Sequence, residues 1–298
     1  MTVGVTAEPA GWEGLRFLTA SVLPLRRACN LRCLFCFSAS SVSWEAREQE
    51  DLRDYDLEAY FGDAWARGAR RLVITGGGEP LLRPEVVLEV IRRGRGTFEE
   101  VACFTNGTFL TRELAEALAE AGLSHLCWSR HAVDDGANRR LMGEGAPGLA
   151  AFMEAAAPLR VRATCVMTRG YVDSAEAARA YVAALAPRGV EEFTFKHTYV
   201  AYPSSVYGDS DENHWARRHQ VELDPFEDQG EVVGTLPWGP KIRRWEGVQV
   251  CHYREPSPAW ELASGIGRSL NLMSDGTVYA SLEEQQSRLY RLSACSRR

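Results

Sequence analysis

The stretch FLTASVLPLRRACNLRCLFC, residues 17–36, joins an apolar run to a loop bearing Cys29, Cys33 and Cys36. The run reads as a buried strand from Phe17 to Arg26, with the cysteine loop directly after it. The C-x3-C-x2-C spacing sets three thiolates in one tight loop, and thiolates are soft ligands for zinc, Cu(I) and iron–sulfur clusters. A structural zinc site takes four ligands, usually from two C-x2-C pairs, and the sequence holds no second pair. A cubane held by three cysteines leaves one iron open to another ligand.

Outward from that loop, strands and helices alternate. RRLVITGGGEPLL (residues 70–82) is a β-branched run ended by three glycines, and VACFTNGTFL (residues 101–110) is a strand that ends at Asn106-Gly107. That strand is expected over Glu100–Thr105, and further strands at Ser124–Arg130, Val161–Thr168 and Phe193–Tyr199. Between them, Asp56 opens a helix that stops near Gly68, and Pro84 and Gly94 bracket another over Glu85–Arg93. Thr111 caps a helix ended by Gly122, Gly148–Ala157 is helical, and Asp173 with Glu176 forms a capping box for a helix to Ala186. Six such units predict an α/β fold with a parallel sheet and right-handed crossovers. The expected chemistry lies at the C-terminal ends of the strands, where the cysteine loop, Gly77-Gly78-Glu79, Asn106, Ser129 and Lys196 all fall.

The run CNLRCLFC, with Phe35 just before its third cysteine, the Gly77-Gly78-Glu79 segment and the strand ending at Asn106-Gly107 together resemble the radical S-adenosylmethionine (SAM) superfamily. The resemblance implies a partial (β/α)6 TIM-like barrel. It also implies a [4Fe–4S] cluster on Cys29, Cys33 and Cys36, with SAM bound through the open iron and cleaved to a 5′-deoxyadenosyl radical. Gly77, Gly78 and Glu79 are then expected at the methionine end of SAM, and Ser129 at its ribose. For Ser129 the sequence equally allows a strand-end hydroxyl bonded to backbone. If Phe193 and Phe195 pack under helices, Lys196 points into the barrel toward the SAM carboxylate; a surface lysine at a frayed strand end is the other reading. Asn106 is expected to shape its turn more than to touch a ligand.

The division expected is a core over residues 1–199 and an extension over 200–298 that covers the barrel mouth and contains a hairpin, SLNLMSDGTVYASL (residues 269–282), turned at Asp275-Gly276. Related extensions carry a second cluster, yet the position after that turn is Ala280, and only Cys251 and Cys295 remain. Cys103, Cys127 and Cys165 read as small buried hydrophobes. Cys251 is expected in a non-strand segment over the active site, where its thiol would return a hydrogen atom to a substrate radical from the opposite face. That logic resembles the radical SAM epimerases of aminoglycoside and peptide biosynthesis. It sets a sugar epimerase against a peptide maturase or a sugar or nucleoside dehydrogenase.

The chain has 298 residues, 45% hydrophobic and 25% charged, with a net charge of −6. That charge lacks the basic footprint of nucleic-acid binding and suits a cationic substrate. Glu45, Glu48, Glu50, Asp51, Asp134 and Asp135 are candidate contacts to its ammonium groups, with solvated loop acids as the alternative. His131, His197, His214 and His252 show no metal-ligand spacing. Arg217-Arg218, Arg243-Arg244 and Arg297-Arg298 are expected on solvated surfaces. No apolar run reaches a membrane span, no secretory signal opens the chain, and scattered cysteines fit a reducing cytoplasm. A flavodoxin or ferredoxin is the expected reductant.

Overall fold

The computed structural model describes residues 11–44, 50–202, 205 and 208–294. Glu45, Glu48, Cys295 and Arg297-Arg298 lie outside the described residues. Strands β1 (Arg16–Val22), β2 (Arg71–Ile74), β3 (Glu100–Thr105), β4 (His125–Ser129), β5 (Val161–Met167) and β6 (Val190–His197) pair in that order, all parallel. The connections carry helices α1 (Leu57–Ala66), α2 (Pro84–Gly94), α3 (Arg112–Ala121), α4 (Asp135–Met142), α5 (Leu149–Ala155) and α6 (Ala175–Leu185). The result is an α/β fold built on a parallel sheet.

After α7 (Asp211–His219) come β7 (Glu231–Thr235), β8 (Lys241–Trp245) and β9 (Val248–Tyr253). Helix α8 (Pro258–Ser264) then leads to β10 (Ile266–Leu272), β11 (Thr277–Tyr279) and β12 (Arg288–Arg291). Two strands from this C-terminal stretch lengthen the parallel sheet, β9 beside β6 and β10 beside β1. Strands β8 and β7 continue antiparallel from β9, and β11 and β12 continue antiparallel from β10.

Local chemistry explains the boundaries. Strand β1 stops at Val22, not Arg26, because Pro24 has no N–H to give the ladder. Ser174, not Asp173, caps α6 by accepting from Ala177 N at 3.1 Å, while Asp173 accepts from Gly170 N in the preceding turn. Helices α4 and α7 were not expected; Asp134 and Ser210 cap them through the side chain. Cys251 is in strand β9, not in a loop, since its segment VQVCHY alternates buried and half-buried residues at the period of a strand. Arg243 is buried on β8 and bonds Gln229 O, which corrects its assignment to solvent.

One face of the sheet is fixed by its helices. Trp128 stacks on Phe152 of α5 with ring centroids 3.8 Å apart. Phe193 and Phe195 meet Tyr181 of α6 edge-on at 6.2 and 5.7 Å. Alternation then sends Cys127, Ser129, Arg162, Thr164, Thr194 and Lys196 to the other face, away from the helices. Cys251 pairs with Thr194 and Tyr253 with Lys196, so both share that inner face.

Candidate active site

The cysteine loop is clamped rather than loose. Arg32 N and Leu34 N donate to Met142 O and Leu141 O, both at 3.0 Å. These are carbonyls that the end of α4 leaves without helical partners. Leu31 packs with Leu141, Met142 and Ala146, and Cys33 and Phe35 lean on the same cluster. Phe35 sets its ring edge-on to His131 at 4.7 Å, so the aromatic residue before the third cysteine fixes the loop to the end of β4. No disulfide ties the three cysteines; Cys29 is exposed and the other two are half-buried.

The glycine segment lies directly against this loop. A Cβ on Gly77, which has φ +75°, would come within 1.9 Å of Leu25 O, and one on Gly78 within 1.8 Å of Ala28 O. Glu79 N donates to Ala28 O at 2.8 Å. The Glu79 carboxylate is buried and accepts from Thr105 Oγ1 (2.6 Å), Asn106 N (2.7 Å) and Leu81 N (3.1 Å). Burial raises its pKa against the pull of those donors. Its oxygens are thus committed to tying β2 to β3. Asn106 accepts from Thr108 N through Oδ1, which holds the turn as expected, and its amide also reaches the cysteine loop.

Ser129 and Lys196 sit at the C-terminal ends of β4 and β6 on the inner face. Lys196 does not end free: its Nζ pairs with Glu255 Oε1 at 2.7 Å and lies 5.3 Å from the Tyr253 ring centroid. Glu255 also faces Arg268 at 3.8 Å, and Arg268 pairs with Glu283 at 3.0 Å. This chain of alternating charge links β6 and β9 to β10, the two ends of the parallel run. Glu261 accepts from Arg268 N at 2.7 Å, and burial pushes its carboxyl up to about 7. Burial likewise pushes the Cys251 thiol up to about 11, with nearby Asp224 adding to it and Arg162 opposing, so it carries its proton at neutral pH.

The donor set suits an iron–sulfur cluster: three thiols on one backbone loop, with N–H groups turned to their sulfurs. Leu31 N lies 3.4 Å from Cys29 Sγ, and the Ala39 and Ser38 N–H groups favour the Cys36 thiolate. Burial holds the Cys33 thiol well above its ordinary range, and Cys36 and Cys29 raise it further as like charges close by. Cationic iron bound there would remove both penalties by taking the deprotonated sulfurs.

Comparison with known proteins agrees. Residues 23–168 match the family model of the radical SAM superfamily. That segment belongs to the radical SAM superfamily. Its cofactors are a [4Fe–4S] cluster and S-adenosylmethionine. The AdoMet-dependent heme synthase of Methanosarcina barkeri is 40% identical over 114 residues, covering 38% of this chain and 30% of the relative. A GTP 3′,8-cyclase of Xanthomonas axonopodis is 34% identical over 165 residues, covering 52% and 48%. The chain therefore matches about half or less of these relatives' length. The S-adenosylmethionine-bound structure of Streptococcus suis SuiB aligns with 92% of this chain and 63% of its own, at TM-score 0.58 and 16% identity. Native anSMEcpe with bound AdoMet and a peptide aligns with 92% and 77%, at TM-score 0.53 and 14% identity. These likenesses show that the fold shared with those structures extends through the C-terminal strands.

Several site features escaped the sequence. Among the described residues, the acids nominated for a cationic substrate have structural partners: Glu50 with Arg291 and Tyr55, Asp51 with Arg53 and Arg83, Asp135 with Arg130, and Asp134 at the cap of α4. Glu255 and Glu283, the acids that meet Lys196 and Arg268, were not nominated; the place of Glu255 after the parallel strand β9 was the available signal. Cys127 is not a plain hydrophobe either. Burial alone would raise its thiol, but Arg162 Nη2 at 2.9 Å and the neighbouring His125 hold it below its ordinary value. Cys103 and Cys165 are buried as expected.

Proposed function

We propose that this chain is a radical SAM epimerase that inverts a carbon centre of a small cationic molecule, a sugar of the aminoglycoside type, with Cys251 as hydrogen-atom donor. The observation that carries this reading is the position of Cys251, half-buried near the C-terminal end of β9, on the inner face with Lys196, its thiol protonated at neutral pH. A donor must hold an S–H bond, and a thiolate would not serve. When bound, the cluster and SAM supply a 5′-deoxyadenosyl radical that takes hydrogen from one face of the carbon. Cys251 S–H then gives its hydrogen to the other face. The thiyl left on Cys251 returns to thiol by taking one electron, from a flavodoxin or ferredoxin, and one proton from solvent.

Substrate charge is supported by the acids around Lys196 and Arg268. Three carboxylates, Glu255, Glu261 and Glu283, face two cations, Lys196 and Arg268. Glu261 Oε2 is buried and has no hydrogen-bond partner. An ammonium group would balance this excess of acid. Gly77 and Gly78 are read as backbone contacts to the methionine end of SAM, Glu79 as the clamp that holds them, and Ser129 as a ribose contact. Residues 1–199 are read as the (β/α)6 core, with 200–298 an extension that shields the mouth and ends in a hairpin. No helix among the described residues is long and apolar enough to cross a membrane.

In deuterated solvent the exchangeable thiol should place one deuterium at the inverted carbon. Cys251→Ala should still form 5′-deoxyadenosine but give no inverted product. If that variant inverts its substrate at the wild-type rate, the epimerase reading fails. A peptide substrate is the second reading, favoured by the fold shared with SuiB, one of whose structures is bound to precursor peptide SuiA.

A further inference from the structure

Asn106 touches both the glycine segment and a cysteine of the loop. Its backbone N donates to Glu79 Oε2 at 2.7 Å. Its Oδ1 accepts from Thr108 N at 2.9 Å, which closes the turn. The two hydrogens of Nδ2 go to Asn30 Oδ1 at 2.9 Å and to Cys29 Sγ at 3.8 Å. Every polar group of the side chain is therefore used, and two of its three bonds end on the cysteine loop. Turn formation alone explains the Oδ1 contact. It does not explain an amide aimed at a sulfur ligand from 77 residues away.

We infer that Asn106 is a positioning residue that tunes the cluster, its amide donating to the Cys29 sulfur and thereby making the cluster easier to reduce. The inference rests on the radical SAM assignment. Adding an electron to the cluster raises negative charge on its cysteine sulfurs. A hydrogen-bond donor at a sulfur stabilises that charge and raises the reduction potential. Among the described residues the Cys29 sulfur has one other donor, Leu31 N at 3.4 Å, and it sits near the Glu79 carboxylate, which pushes electrons the other way. Removing the amide should therefore shift the balance toward the oxidised cluster. Asn106 would act through Cys29, without touching substrate.

Two variants separate tuning from simple turn support. Asn106→Asp keeps an oxygen for Thr108 N, loses both donors and brings a carboxylate toward the sulfur. Asn106→Ala loses the side chain without adding charge. Iron is counted first in anaerobically reconstituted protein, and the potential is then read by a redox titration followed by electron paramagnetic resonance. Both variants should hold about four irons per chain and titrate at lower potential than wild type, Asp below Ala. At a fixed reductant potential the reduced-to-oxidised ratio should fall about tenfold in the Ala variant, as expected for losing a hydrogen bond to a charged group. Wild-type potentials in both variants would overturn the inference, and so would loss of the cluster from both, which would assign Asn106 to structure alone. A wild-type chain that takes up no iron would instead sink the radical SAM assignment, so the two failures are distinct.

Discussion

Replacing Gly78 by alanine tests whether the glycine segment and the cysteine loop form one rigid body. Gly78 is absent from the positive-φ glycines, so the cost of a side chain there is contact and not backbone conformation. The new Cβ would stand 1.8 Å from Ala28 O and 2.9 Å from Ala28 N. An ordinary C···O approach is about 3.3 Å, so the two segments must part by about 1.5 Å. That movement breaks the 2.8 Å bond from Glu79 N to Ala28 O, worth about 1 kcal/mol. Overpacking adds about 1–3 kcal/mol, giving a loss of about 2–4 kcal/mol in all. Cys29 is the next residue after Ala28, so the shift passes straight to a proposed cluster ligand. The expected result for Gly78→Ala is a lowered Tm and a clear loss of iron and sulfide per chain after anaerobic reconstitution. Gly62→Ala is the control: it lies inside α1 with nothing within 4 Å of the added Cβ, and should gain about 0.5–1 kcal/mol from helix propensity. A Gly78→Ala protein with wild-type iron content and melting would refute the reasoning.

Glu261→Gln should raise stability in a pH-dependent way. The folded carboxyl is raised from 4.5 to about 7 by burial, so its favourable contribution is complete below about pH 4.5 and is lost as pH rises through 7. The variant's advantage should be absent at pH 4.5 and grow to at most about 3 kcal/mol by pH 8; parallel Tm curves for the two proteins would contradict it. Arg162→Met removes the donor to Cys127 Sγ and a partner of Glu192. It should cost about 3 kcal/mol in a denaturant titration and raise the pH at which the Cys127 thiol ionises, read by thiolate absorbance; an unchanged titration would show that His125 alone suffices.

The parts of this fold that depend on neighbours in sequence were legible. Alternating runs and caps such as Thr111 and Gly122 gave β1 to β6 and most of their helices, because propensity and burial pointed the same way there. The cysteine spacing and Gly77-Gly78-Glu79 pointed to the chemistry because a ligand set of that kind is local. What failed was set by distant contacts. Nothing near Cys251 says that its segment adds a parallel strand beside β6, since that pairing joins residues far apart in sequence. Glu50 looked like a loop acid because its partner Arg291 is remote in sequence, whereas the nearer partner of Asp51, Arg53, stood two residues away. The inward turn of Lys196 followed correctly from Phe193 and Phe195 packing under α6, yet its partner Glu255 could not be read from the strand alone.

The most direct test is to reconstitute the chain anaerobically with iron and sulfide, reduce it strongly, and measure cleavage of S-adenosylmethionine. The account predicts about four irons per chain and formation of 5′-deoxyadenosine that disappears when Cys29, Cys33 or Cys36 is replaced by alanine. Preferential binding of zinc, or a loaded cluster that leaves the sulfonium intact under strong reduction, would contradict it.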